Sequence, residues 1–431
     1  MLSFYNEIKK VKKTFILHTI FSLLQGVLLG LVAMNEFVYL KAMNGSNLSL
    51  SVLLQLAVVV LLFSIISNEF FNRIKNKKKL LRITALVTHL PLLLFYFFPQ
   101  YIDAYGQDSI YHYIFLGIFF FFYLNNILIN PVTNLFLKQS YGNNFGLFYS
   151  FATSLNKLVM FFITLFFGFL LDINNYSFTY IYPIMGIVGI ISIYILSNID
   201  YIDETPDEKY NYWQTIKNSF SNTYIILKDN VNYRNFQIGF MFYGFAWMIT
   251  AAIIVIYFKE VYDMNNKTFA FYKNGYNIIS IIILPFLGKL LDKIDVKIFS
   301  ALTFLSMLLY LFFLGISGYF PGYVEFYGIK LYYMLIIAYL FYSVFAATMA
   351  LLWYIGSAYF CKPSETGQYQ AIHLALTGLR GIFGFQLGII IYTFFGFTFT
   401  FMLGVFLLLV AIIIMLWSYK KTALTSKKIK Y

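Results

Sequence analysis

The chain has 431 residues, of which 60% are hydrophobic and 11% charged, with a mean hydropathy of +0.73 and a formal net charge of +13. Soluble domains carry roughly 25% charged residues, so a soluble fold of this length is excluded, and repeated apolar runs of about 20 residues make the bilayer the solvent. The single cysteine, Cys361, excludes an intrachain disulfide and a thiolate metal cluster.

Lys9, Lys10, Lys12 and Lys13 precede the first apolar run, and no small-residue cleavage site follows, so the segment reads as a retained first helix rather than a signal peptide. Further runs place twelve spans at 14–38, 48–70, 80–98, 110–135, 147–171, 178–198, 237–258, 269–291, 298–320, 331–358, 369–393 and 395–418. An even number of spans puts both termini on one side. With that side cytoplasmic, inner segments hold 24 of the 31 basic residues and outer loops hold 5, namely Lys41, Lys259, Lys267, Lys273 and Lys330. This asymmetry follows the positive-inside rule and orients both termini toward the cytoplasm.

The longest polar stretch, 199–236, opens on Asp200, Asp203, Glu204, Asp207 and Glu208. It then spaces Trp213, Ile216, Phe220, Tyr224 and Leu227 near a helical period, which reads either as an amphipathic surface helix or as a solvated linker. The expected organisation is an all-α membrane protein with an N-terminal six-helix bundle at 1–198, the linker at 199–236, a C-terminal six-helix bundle at 237–419 and a basic tail at 420–431. A weak internal echo supports two halves: Gly146, Tyr149, Lys157 and Gly168 correspond to Gly367, Tyr369, Arg380 and Gly388.

Lys157 and Arg380 are the two basic residues left inside spans, each about 15 Å deep in a core of about 30 Å. A charge there costs about 2.5–3.5 kcal/mol on the lenient insertion scale and normally faces a wet cavity or a partner. Thr153 and Thr164 share a helix face with Lys157, and His373 and Thr377 share one with Arg380. Among the acids only Glu36 falls within a span, in the outer part of the first helix, so the two cations exceed the buried negative charge. An anionic solute would complete the balance. In the structural alternative each cation bonds carbonyls or amides of adjacent helices, with Glu36 taking one. Glu36 is also the candidate carrier of a coupling proton, since burial favours a neutral carboxyl; its other reading is as a partner of Lys41. Gly26 with Gly30, and Gly384 with Gly388, are small-residue pairs that permit close helix contact.

Between the eighth and ninth spans, Gly288-Lys-Leu-Leu-Asp292-Lys293-Ile-Asp295-Val-Lys297 resembles the signature loop of the major facilitator superfamily. Gly288, Asp292, Lys293 and Lys297 match it, and Asp295 stands where the family has glycine. The corresponding first-half loop, Asn68-x-x-x-Asn72-Arg73-x-x-x-Lys77, lacks both the glycine and the acid. The resemblance implies two pseudo-symmetric six-helix bundles, a loop that holds one conformation of the transport cycle, and fifth and eleventh helices that both border a central cavity. On the fourth helix Asn126, Asn130 and Asn134 at spacing four either line a wet cavity or bond neighbouring helices; the resemblance, in which that helix lines the cavity, implies the former, with Asn130 most central.

The expectation is a monomeric, multi-pass secondary transporter of the bacterial cytoplasmic membrane, moving a small anionic solute with or without a coupling proton. It needs no cofactor, metal or nucleic acid. No ATP-binding loop, paired metal-ligand histidines or hydrolase elbow occurs in the sequence. Efflux of drugs or peptides on the same fold is the alternative, and a membrane-embedded enzyme acting on lipid-linked substrates is the third reading. Two midplane cations disfavour organic cations as solutes.

Overall fold

A computed structural model describes residues 11–64, 74–106, 109–141, 145–201, 212–291, 293–361 and 366–428. The described chain is almost wholly helical, because a backbone in hydrocarbon must satisfy its own hydrogen bonds. Helix α1 spans Lys12–Val32 and continues through a helical turn at Asn35–Phe37 into a wider π turn at Val38–Ala42. Helix α2 spans Asn47–Val59 and tightens into a 3-10 turn at Val60–Phe63. Helix α3 spans Lys77–His89 and also tightens at Leu90–Phe97, where Pro91 removes an amide donor. Helices α4 (Ile110–Tyr141), α5 (Phe145–Ile173) and α6 (Phe178–Leu196) complete the first six.

The linker forms helix α7 at Tyr212–Asp229; the side chains of Trp213, Ile216 and Phe220 lie outside the described set, as does the acidic run after Tyr201. Helices α8 (Val231–Glu260), α9 (Asn266–Leu291) and α10 (Val296–Ser317) follow. A hairpin of β1 (Tyr323–Phe326) and β2 (Ile329–Tyr332) then leads into α11 (Tyr333–Ile355). The chain ends in α12 (Thr366–Gly381) and α13 (Gly384–Lys428), the latter broken at Gly396, whose φ is +76°. Nine helices among the described residues are long and apolar enough to cross a bilayer, and α2 is a shorter apolar helix. Among the described residues the hairpin is the one departure from an all-α reading. The last helix runs on past 418 into the basic tail, to Lys428.

Polar caps start several spans. Asn76 accepts from the Lys79 amide at 2.9 Å, Asn230 from Tyr233 at 3.0 Å and Asp295 from Lys297 at 2.7 Å, each satisfying a donor that a helix start leaves open. Asp295 therefore opens α10 at the place where the signature loop carries glycine.

Contacts divide the chain into two compact units, one of Met1–Ser49 with Ile66–Tyr210 and one of Leu50–Ile65 with Asn211–Tyr431. Most of α2, which chain order assigns to the first half, thus belongs with the second. Each unit is packed around aromatic rings. In the first, Phe95 lies 4.9 Å from Tyr182 and 5.3 Å from Phe115; in the second, Tyr243 stacks on Phe304 at 5.0 Å.

Glycines set the closest helix approaches. A Cβ on Gly26 would stand 2.5 Å from the Asn156 carbonyl and one on Gly30 would stand 2.8 Å from that of Met160, so α1 meets α5 almost backbone to backbone. In the second unit a Cβ on Gly384 would lie 2.9 Å from Met248 Cβ, and one on Gly388 would run into the Ile249 carbonyl. Gly378 and Gly381 face Leu62 and Val58 of the α2 segment in the same way.

Candidate functional site

Arg380 lies in the last turn of α12, where its charge complements the helix dipole. It is 2% exposed. Its Nη1 donates to the Phe240 carbonyl at 2.7 Å and its Nη2 to Thr377 Oγ1 at 3.1 Å, while Nε is buried without a partner. The approach to Phe240 depends on Gly244 one helical turn later, because a Cβ there would fall on the guanidinium. No carboxylate contacts Arg380 among the described residues, and a guanidinium has five donors to satisfy.

His373 and Thr377 continue the stripe as their spacing predicted, but both are buried, at 1% and 3% exposed. His373 Nδ1 bonds Gln237 Oε1 at 3.2 Å, and its ring packs edge-on to Phe240 and Trp353. Its Nε2 and the Gln237 Nε2 have no partner. Thr377 Oγ1 donates to the His373 carbonyl at 3.0 Å while accepting from Arg380.

Immediately after Arg380 the helix stops. Residues 382 and 383 are non-helical before α13 begins, so the span is discontinuous near its middle. An opened backbone at that depth is tolerated only where protein or a wet cavity satisfies it. Gln55 of the α2 segment donates to the Ile382 carbonyl, and Gln386 donates to Gln55 Oε1. Val58, Met248 and Phe385 close an apolar layer over this junction, with Trp247 packed against it.

The first unit treats its cation differently. Lys157 on α5 is partly exposed and makes no hydrogen bond or ion pair with any described residue. Thr153 is likewise partly exposed. Thr164, the third member of that stripe, instead donates to the Gly30 and Met160 carbonyls at 2.9 and 2.8 Å, and so belongs to the α1–α5 contact. Neighbouring Asn156 donates to the Ser22 carbonyl at 2.9 Å.

Asn130 and Asn134 lie in α4, with side chains outside the described set; Asn126 is exposed. Glu36 sits in the helical turn before the π turn, 8% exposed; the adjacent Asn35 donates to the Tyr123 hydroxyl at 2.8 Å. In the signature loop Asp292 lies outside the described residues, Lys293 is exposed, and a Cβ on Gly288 would meet nothing within 4 Å. Lys297 is the buried member: its Nζ donates to Asn232 Oδ1 at 2.9 Å and Thr422 Oγ1 at 2.7 Å, tying the start of α10 to α8 and α13.

The sequence profile of the Major Facilitator Superfamily matches residues 14–329 and, in an overlapping second match, residues 238–430. The chain belongs to this superfamily. No curated protein sequence matches the chain. Among solved structures it is similar to a POT family transporter in complex with a thioalcohol-conjugated peptide, with TM-score 0.70 and 13% identity over 95% of this chain and 96% of that one. It is similar to the nucleoside transporter NupG, with TM-score 0.68 and 12% identity over 94% and 99%, and to a D-xylose–proton symporter, with TM-score 0.63 and 15% identity over 94% and 97%. At these identities the likeness establishes the superfamily fold, in a multi-pass integral membrane protein. The glutamines at the α12–α13 junction, Gln55 and Gln386, were not singled out from sequence. Their signal was an amide in the middle of an apolar run. Gly244 gave less warning, since nothing in a sequence tells a glycine that admits a guanidinium from one that admits a helix.

Proposed function

We propose that the chain is a secondary active transporter that moves a small anionic solute across the membrane by alternating access. The observation that carries this reading is the buried Arg380, which ends a half-helix with one donor unpartnered and no carboxylate in contact among the described residues. A cation at mid-span is retained against its insertion cost only where it does work. Lys157, partly exposed and without a described partner, is the corresponding charge of the first unit. The solute carboxylate or phosphate supplies the missing negative charge, and Arg380, with its planar fork, is the group suited to bind it in two-point fashion.

In this reading Thr153 lies beside Lys157, and Thr377 and His373 orient Arg380, while Asn130 supplies an amide from α4. Glu36 is the candidate proton carrier, and Gly288, Asp292, Lys293 and Lys297 form the conformational loop. The protein works as a monomer in the cytoplasmic membrane with both termini inside, and it is a transporter rather than an enzyme. The drug-efflux alternative is disfavoured by two mid-span cations, which repel organic cations.

A thermal-shift screen of purified protein against small carboxylates, phosphates and sugar phosphates tests the proposal. A ligand at 100 times its Kd stabilises by about 2.7 kcal/mol, so one anion class should raise Tm by several degrees. Lys157→Ala and Arg380→Lys should abolish the rise. A neutral or cationic solute that shifts all three proteins equally would contradict it.

A further inference from the structure

The β1–β2 hairpin is the only β structure among the described residues, and its surface is the reverse of what water selects. Its tip residues Phe326 and Tyr327 are 63% and 82% exposed, and Tyr319 and Phe320, at its approach, are exposed as well. The turn between the strands has two residues, Tyr327 at φ +50° and Gly328 at φ +76°, which suits the twist of a hairpin. Glycine or asparagine adopts such a φ readily and a bulky residue does not. Holding Tyr327 there puts an aromatic ring at the outermost point.

The hairpin is fixed rather than free. Along β2 the Lys330 amide donates to Thr268 Oγ1 at 3.0 Å and the Tyr332 amide to the Tyr272 hydroxyl at 2.8 Å, while Asn265 donates to the Gly328 carbonyl at 2.9 Å. These contacts pin β2 to the start of α9 and leave β1 outermost. Helix α10 ends at Ser317 and α11 begins at Tyr333, so the hairpin joins two span ends directly. Its four-residue arms, at about 3.3 Å per residue, are about 13 Å long, which exceeds a headgroup layer of about 5–8 Å on each side of the hydrocarbon, so the hairpin fits that layer when it lies along the membrane plane.

We propose that the hairpin is an interfacial anchor, lying in the phospholipid headgroup layer with Phe326 and Tyr327 inserted at the level of the glycerol backbone. Aromatic side chains with one polar end favour that zone. The adjacent ammonium groups suit lipid phosphates: Lys267 reaches the Tyr327 carbonyl at 3.4 Å, and Lys330 lies 5.4 Å from the Tyr323 ring centroid. Glu325 opposes Lys330 across the strands, so the charge is only modestly positive and the aromatic rings carry most of the binding. The partner is thus the bilayer that the protein spans. A strand added to β1 by a second copy or by another protein would require the opposite orientation, with β1 in water.

The test uses the full chain in nanodiscs. In the first arm, wild-type protein is photolysed with a phospholipid carrying a diazirine near its glycerol end, and labelled peptides are mapped. Label on residues 319–327 at a level comparable to the exposed start of α11 at Tyr333 and Ile336 is expected; a labelled start of α11 with an unlabelled hairpin would overturn the proposal. In the second arm a nitroxide is attached at Tyr327→Cys in a Cys361→Ser background. Its ratio of oxygen to water-soluble nickel-chelate collision rates should lie between those at mid-span Ile282→Cys and at Asn174→Cys. A nickel-dominated rate like that at Asn174→Cys, or protection from both reagents by a covering protein, would overturn it.

Discussion

The Arg380 guanidinium is held by one carbonyl, one hydroxyl and the absence of a side chain at Gly244. Gly244→Ala therefore forces the guanidinium off Phe240, and overpacking of this kind costs about 1–3 kcal/mol. The expected outcome is a lower Tm together with loss of ligand-dependent stabilisation, read in one melting series. Arg380→Lys keeps the charge but loses the fork, and uptake should fall at least tenfold, equivalent to about 1.4 kcal/mol. The position of Arg380 inside a span was legible from sequence because a charge in an apolar run stands out. Its burial was not, since the groups it meets across the helix contact are Phe240 and Gly244, whose letters say nothing of which cation they enclose. Lys157 shows the limit of the same inference. An equivalent position in its span leaves it partly exposed, because the neighbouring α1–α5 contact is made by Gly26, Gly30 and Thr164 rather than over the lysine.

At the level of elements, the discontinuity between α12 and α13 was expected as one unbroken span at 369–393. Periodicity misses it because Gly381-Ile-Phe-Gly384 is as apolar as the helix around it. The amide that satisfies it, that of Gln55, comes from α2, more than 300 residues away in sequence. Gln55→Leu removes the donor to the Ile382 carbonyl, a loss worth about 0.5–1.5 kcal/mol. Slower transport with a reduced Tm is predicted, with Gln386→Leu giving a milder version because it removes only the outer bond. The first unit has an ionic counterpart just after α6, where Asp200 accepts from Lys13 at 2.6 Å and lies 3.5 Å from Lys78. The Lys13 hydrogen bond holds the Asp200 carboxyl below its ordinary range. A depressed carboxyl contributes stability above its unfolded pKa of about 3.9 and loses it as pH falls through the folded value. Asp200→Asn should therefore leave melting curves closer to wild type below pH 3 than at pH 7. An equal difference at both values would show that the ion pair is not the source.

For the molecule as a whole, hydropathy was sufficient for the number and order of spans, because the bilayer admits few backbone solutions. What it did not carry was the assignment of α2, which packs on α12 through Gly378 and Gly381 in the second unit. Nor did it carry the hairpin, whose strands read as loop between two apolar runs. Superfamily membership carries the transporter fold, and the proposed anionic solute rests on the balance of buried cations and carboxylates. The most direct measurement of that balance is uptake of radiolabelled small anions into vesicles by wild-type protein and by the Lys157→Gln, Arg380→Gln double variant. The account predicts saturable uptake of an anion by the wild type and a fall of at least tenfold in the folded double variant. Undiminished uptake with both cations neutralised would contradict it.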